Sequence, residues 1–238
     1  MTQYQRWQIG FDEVMNFMEK EQRKLSKYSP KEKLMFHFIH HNKELYNAGT
    51  MKAERMEAFE KLLALCEEYK RVYYLKDSFL IEESLRYDVK GRKYIGTETK
   101  YYFADIGIRA AILNYRQQEE THIMENIIYN ELRSRGYNVD VGLVELGGKD
   151  ENGKFIRKQL EVDFVVNRPP YRVYIQSAFH MPTPEKEQQE RRPLLSINDH
   201  FRKIVIVGDD IHRKEDELGV LTIGLLDFLT DKKLLEQG

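Results

Sequence analysis

At 238 residues the chain can hold one large domain, or an ordinary domain with a small module. Hydrophobic residues make up 41% and charged residues 32%, a globular composition, and a net charge of −1 excludes a global attraction to nucleic acid or membranes. One cysteine, Cys66, excludes an internal disulfide; there is no Cys/His zinc spacing, apolar leader or 18-residue apolar run, so a cytoplasmic protein without a membrane partner is expected.

Residues 1–72 read as a module of three amphipathic helices. Phe11, Val14, Met15 and Met18 recur at helical spacing in the first. In the second, Ser29 is the expected N-cap, Pro30 the first helical residue and Glu32 the return arm of a capping box. Leu34, Met35, Phe38 and Ile39 share its apolar side. Asn47-Ala48-Gly49 breaks it, and Thr50 is placed to cap a third helix bearing Met56, Phe59, Leu62, Leu63, Cys66 and Tyr69.

The texture changes over residues 73–238. Stretches 79–87 and 93–103 are rich in β-branched and aromatic residues and flank Lys90-Gly91-Arg92, which predicts a hairpin with a basic tip. A short helix after Asp105 and a longer one over about 119–135 come next. Strands are then predicted at 137–146, 157–167 and 171–179, a charged helix at 184–198, a strand at 203–208, and a strand running into a short helix at 219–229. The order from residue 119 is α-β-β-β-α-β, so a mixed α/β fold with a central sheet flanked by helices is expected.

Strict alternation along 157–167 puts Gln159, Glu161, Asp163 and Val165 on one face. Tyr174, Gln176 and Ala178 share a face of the next strand, so Asp163 and Gln176 are expected to meet. Glu125 lies on a helical stripe with Ile128, Tyr129 and Leu132, beside an apolar face where a bare carboxylate is costly unless paired or bound to a cation. The plain alternatives are an Asp163 that caps a turn or pairs with Arg157, a Glu125 bonded to backbone, and a Gln176 satisfied within the sheet.

The run from His122 to Leu132, Glu161-Val162-Asp163-Phe164, Tyr174-Ile175-Gln176 and Arg192-Pro193-Leu194 resembles the C-terminal DUF4143-type domain of prokaryotic AAA-type ATPases. That domain is similar to the PD-(D/E)XK, or restriction-endonuclease-like, fold. Tyr74-Leu75-Lys76-Asp77, Arg86 to Gly91 and Lys100-Tyr101-Tyr102-Phe103 extend the likeness over two-thirds of the chain. It implies a two-acid Mg²⁺ site on Glu125 and Asp163, with Gln176 in the place of a further acid. Active members carry a lysine two positions later, and Ala178 stands there. Lys158 is expected on the opposite face from Asp163.

Residues 1–71 hold 13 Lys+Arg against 11 Asp+Glu. Trp7, Ser26 to Pro30, His40 to Lys43, Arg55, Phe59 and Glu68 to Val72 resemble the three-helix helicase-associated domain. This implies a DNA partner, with phosphate contacts from Lys27, Lys43, Arg55, Lys70 and Arg71, joined by Lys90 and Arg92 of the hairpin tip. Trp7, Phe38 and Phe59 read as core. Gly148 to Lys154 has phosphate-loop spacing but is followed by Phe155 and a strand, so a hairpin turn is expected and ATP binding is not. His37 and His41 are spaced as metal ligands but lack a third, and read as a solvated face.

The leading expectation is a nucleic-acid-associated protein with a degenerate, inactive nuclease-like domain and without the ATPase of the resembled proteins. An active Mg²⁺-dependent nuclease and a protein-interaction module with an unknown partner are the alternatives, and the oligomeric state is not legible.

Overall fold

The computed structural model describes residues 1–116, 119–149 and 155–236, with side chains at all of these but 97, 98, 149 and 156. The Gly148–Lys154 turn lies mostly outside them. The chain forms two compact units, Met1–Leu80 and Ile81–Gly238. The boundary falls beyond Val72 because the third helix does not stop there. Among the described residues no helix is long and apolar enough to cross a membrane.

The first unit contains α1 (Gln3–Glu21), α2 (Lys33–Asn47) and α3 (Ala53–Asp77). Its core is Trp7, Val14, Met18, Leu25, Met51, Phe59 and Leu62, with Phe38 and Cys66 packed against it. Trp7 Nε1 donates to Asn42 Oδ1 at 2.6 Å, and Asn42 Nδ2 donates to the Phe38 carbonyl at 2.8 Å, so the buried amide is satisfied.

The expected caps differ. Ser29 and Pro30 lie in a turn before α2, and Glu32, at the N-cap position, makes no side-chain cap bond. Its carboxylate is instead buried, held by both Arg23 guanidinium nitrogens (2.9 and 3.1 Å) and the Ser26 amide (2.7 Å). A two-pronged guanidinium partner outweighs a local box. Thr50 likewise donates back to the Leu45 carbonyl rather than capping α3. The box forms at Thr2 and Gln5, opening α1.

The second unit contains β1 (Ile81–Asp88), β2 (Lys93–Phe103), α4 (Ile106–Ile112), α5 (Glu120–Ser134), β3 (Asn138–Lys149), β4 (Phe155–Arg168), β5 (Tyr171–Ala178), α6 (Pro184–Leu195), β6 (Arg202–Val207), β7 (Lys214–Glu215), β8 (Val220–Gly224), α7 (Leu225–Thr230) and a 3₁₀ turn, Leu234–Glu236. The strands form one mixed sheet in the order β2-β1-β3-β4-β5-β6-β8-β7.

Both faces are covered, giving a three-layer mixed α/β unit. Met124, Ile128, Tyr129 and Leu132 of α5 and Phe228 of α7 pack on Phe164, Val166, Val173, Ile175, Ile204 and Ile206. On the other face Leu194 of α6 and the following Ile197 pack on Val162, Val165, Tyr174, Ala178, Val205 and Val207.

Val162 and Val165 belong to one core while Phe164 and Val166 belong to the other, which strict alternation forbids. The pairing explains it: Asp140 opposes Val165 but Gly142 opposes Val162, so two steps along β3 match three along β4. The extra residue is a β-bulge, and it turns Asp163 and Phe164 onto the α5 face together.

Candidate functional site

The end of β2 is clamped to α5. The Phe103 amide donates to Asn126 Oδ1 at 2.9 Å, and Asn126 Nδ2 donates to the Phe103 carbonyl at 2.7 Å. This fixes Tyr102 against Tyr129, ring centroids 4.0 Å apart and nearly parallel. One residue before Asn126, Glu125 points at the same strand. Its Oε1 accepts from Tyr102 Oη at 2.6 Å and Lys100 Nζ at 2.8 Å.

Lys100 pairs across the ladder with Ser84, a small, fully buried residue bonded to the Val139 carbonyl, which leaves room for the lysine to lie along the sheet. Its ammonium also lies 2.7 Å from Glu161 Oε1 and 3.8 Å from Asp163 Oδ1. Glu161 is held from its other oxygen by Arg86 at 2.6 Å. Asp163 Oδ2 accepts the Ser177 amide at 2.8 Å. Three carboxylates from one helix and one bulged strand therefore surround a single ammonium.

The charges settle unevenly. Burial opposes the Lys100 charge, but the fields of Glu125 and Asp163 and hydrogen bonds to Glu125 and Glu161 outweigh it and raise its pKa, so it stays an ammonium. Burial opposes ionisation of Glu161 too, yet Lys100 and Arg86 hold it below the ordinary carboxylate range. Burial pushes Asp163 up to about 7, helped by the Glu125 charge and resisted by Lys100 and the Ser177 amide. Lys100 and Arg86 thus favour the Glu161 carboxylate, while Asp163 binds its proton more tightly than an ordinary aspartate. Burial, then the charge of Glu125, raises Tyr102 far above the phenol range, so it remains a donor.

Glu125 and Asp163 thus converge as expected, but Gln176 does not join them. It is paired with Val205 and shares the face of Tyr174 and Ala178, all of the α6-side core, while the bulge carries Asp163 to the α5 side. Alternation gave Gln176 its face correctly, and the bulge in β4 moved Asp163 off it. Among the described residues, Gln176 Oε1 and Ser177 Oγ are buried without hydrogen-bond partners.

The donor set does not fit Mg²⁺. The cation position between Glu125 and Asp163 is taken by Lys100 Nζ, which already supplies the positive charge a hard cation would bring there. Alternation alone passed over Lys100, Tyr102 and Ser177. The signal for the first two was a lysine and a tyrosine two apart on one face of an otherwise ordinary strand.

Of the expected phosphate contacts, Lys27 lies 4.9 Å over the Tyr28 ring, Lys43 and Arg71 are exposed, and Lys70 is exposed and paired with Glu67. Lys90 donates to the Glu145 carbonyl at 2.9 Å, and Arg92 is exposed. Arg55 is a correction: it is buried, donates to the Gln3 carbonyl and lies 5.4 Å over Trp7, so it belongs to the helical core. Its stem and guanidinium lie against the indole, as long cationic side chains do on apolar surface.

No family model matches the chain, and no solved structure matches it. A curated Haemophilus influenzae protein described as uncharacterized is 30% identical over 155 residues, covering 65% of this chain and 34% of that protein. The chain spans about a third of that relative's length.

Proposed function

We propose that the chain is a nucleic-acid-associated protein whose sheet unit is a degenerate, inactive member of the PD-(D/E)XK type, and that it binds DNA without cutting it. The observation that carries this reading is the Lys100 ammonium seated among Glu125, Glu161 and Asp163. In a working two-acid site that position belongs to a metal ion that activates water. A lysine there neutralises the acids but activates nothing, and it is held too firmly to serve as a base. Ala178, where a catalytic lysine is expected, is buried in the opposite core.

The fold-type assignment is supported by the order α5-β3-β4-β5-α6-β6 and by a helix acid meeting a strand acid beside a bulge. The DNA assignment is supported by the helicase-associated likeness of the first unit and by the exposed Lys27, Lys43, Lys70, Arg71 and Arg92. Paired gel-shift and nuclease assays in Mg²⁺ and Mn²⁺ test both halves. Binding that weakens steeply with salt, without cleavage, is expected. Cleavage that disappears in Asp163→Ala refutes inactivity, and absence of a shift at low salt refutes binding.

A further inference from the structure

Two adjoining cavities of about 640 and 320 Å³ open where β4 turns into β5, and they share Pro170, Tyr171, Arg172 and Phe201. Tyr87 and Arg92 extend one end, and His200 and Lys203 the other. The groove includes none of the residues around Lys100, and the combined size is that of a ligand site rather than a surface dimple.

Its chemistry is aromatic and cationic together. Arg172 stands between two rings, 5.7 Å from the Tyr87 centroid and 5.2 Å from that of Phe201, with Nε fixed by Asn167 Oδ1 at 2.7 Å. Among the described residues neither Arg92, Arg172 nor Lys203 forms an ion pair. Of the two acids in the lining, Glu215 is exposed, and Asp199 is already occupied by Tyr174 Oη at 2.7 Å and the Phe201 amide at 3.2 Å, while its backbone carbonyl accepts from Lys203 Nζ at 3.1 Å. Phe201 is 40% exposed, a large apolar ring left facing water.

An acidic peptide would use the cations but not the rings, and an apolar peptide the rings but not the cations. A strand of unpaired bases uses both: each base offers a face to an aromatic ring, and each linkage a phosphate to a guanidinium or ammonium. Resting on the nucleic-acid function proposed for the chain, we propose that this groove is a single-stranded nucleic-acid site, with bases stacked on Phe201 and Tyr171 and phosphates on Arg92, Arg172 and Lys203.

The test is fluorescence anisotropy of the full chain with labelled oligo-dT, a duplex of equal length and poly-glutamate, using the parent, Phe201→Ala and Arg92→Gln. Tighter binding of oligo-dT than of duplex is expected, weakened about ten-fold or more in Phe201→Ala. In Arg92→Gln the salt slope should fall by about 0.7, the loss of one single-strand phosphate contact. Arg92 lies on an exposed turn, so its substitution keeps the test valid even if Phe201→Ala fails to fold. Parent binding unchanged in both variants overturns the groove and leaves the general nucleic-acid function standing. No binding of either nucleic acid at low salt overturns that function itself. Poly-glutamate binding as tightly as oligo-dT overturns the groove in favour of an acidic protein partner.

Discussion

Lys100 Nζ stands 2.8 Å from Glu125 Oε1, joining an edge strand to the helix that crosses the sheet. The pair is mostly buried, the lysine side chain 26% exposed and the glutamate 12%. It fills the place that the likeness to nucleases assigned to a metal ion, and with Arg86 it supplies the positive charge facing Glu125, Glu161 and Asp163.

Removing the lysine alone should leave an uncompensated carboxylate. Lys100→Met is expected to destabilise the sheet unit by about 2–4 kcal/mol, below the cost for a fully buried pair because the ammonium keeps some water. Adding Glu125→Gln should restore much of the loss, since the double variant carries no stranded charge. Additive losses in denaturant unfolding would deny the coupling.

Asp163 makes the sheet unit sensitive to pH. Its folded pKa, about 7, lies above the ordinary aspartate value, so the folded state binds the proton more tightly. The associated stability is complete below about pH 4 and is lost as pH rises through 7. Asp163→Asn should remove that slope and be more stable than the parent at pH 8, by a few kcal/mol at most, with little difference at pH 4. Melting curves across pH 4–8 check this, and a parent that gains stability over that range would oppose it.

Glu32 works in the opposite sense in the helical unit. The Arg23 hydrogen bonds, then the Ser26 amide, lower its pKa to about 2. Its contribution is therefore present above about pH 4.5 and lost as pH falls through 2. Trp7 is the single tryptophan and sits in that core, so its fluorescence reports on this unit alone. Glu32→Gln should lower the midpoint at pH 7 and converge on the parent near pH 2. Equal midpoints at pH 7 would show that the pair adds nothing.

Gly142 lies opposite the bulge. A Cβ there would stand 2.8 Å from Val165 Cγ2 and 2.9 Å from Val162 Cβ, the two valines that the bulge brings onto one face. Gly142→Ala is expected to cost about 1–3 kcal/mol by overpacking. An unchanged unfolding midpoint would mean that the bulge can relax.

The order of elements was legible because periodicity and turn residues are local. The sheet hairpin, α5 and the α-β-β-β-α-β run all appear close to their expected limits. The two capping expectations for α2 and α3 failed because Glu32 and Thr50 found other partners, Arg23 nine residues earlier and the Leu45 carbonyl. The site was half legible. Glu125 and Asp163 could be paired from sequence, but the expected meeting of Gln176 with Asp163 failed because alternation cannot register one extra residue in β4. Lys100 was legible only as a lysine two residues before Tyr102 on one strand face; its meeting with Glu161 depends on the order of strands, and no local pattern records that β2 and β4 are both in one sheet.

Mn²⁺ binding, read by electron paramagnetic resonance on the parent, Asp163→Asn and Lys100→Ala, decides whether the lysine has taken the place of a metal. If Lys100 is the cation of this pocket, the parent and Asp163→Asn bind no Mn²⁺ stoichiometrically, and a site arises only when the lysine is removed. One tightly bound Mn²⁺ in the parent, lost in Asp163→Asn, would contradict that assignment.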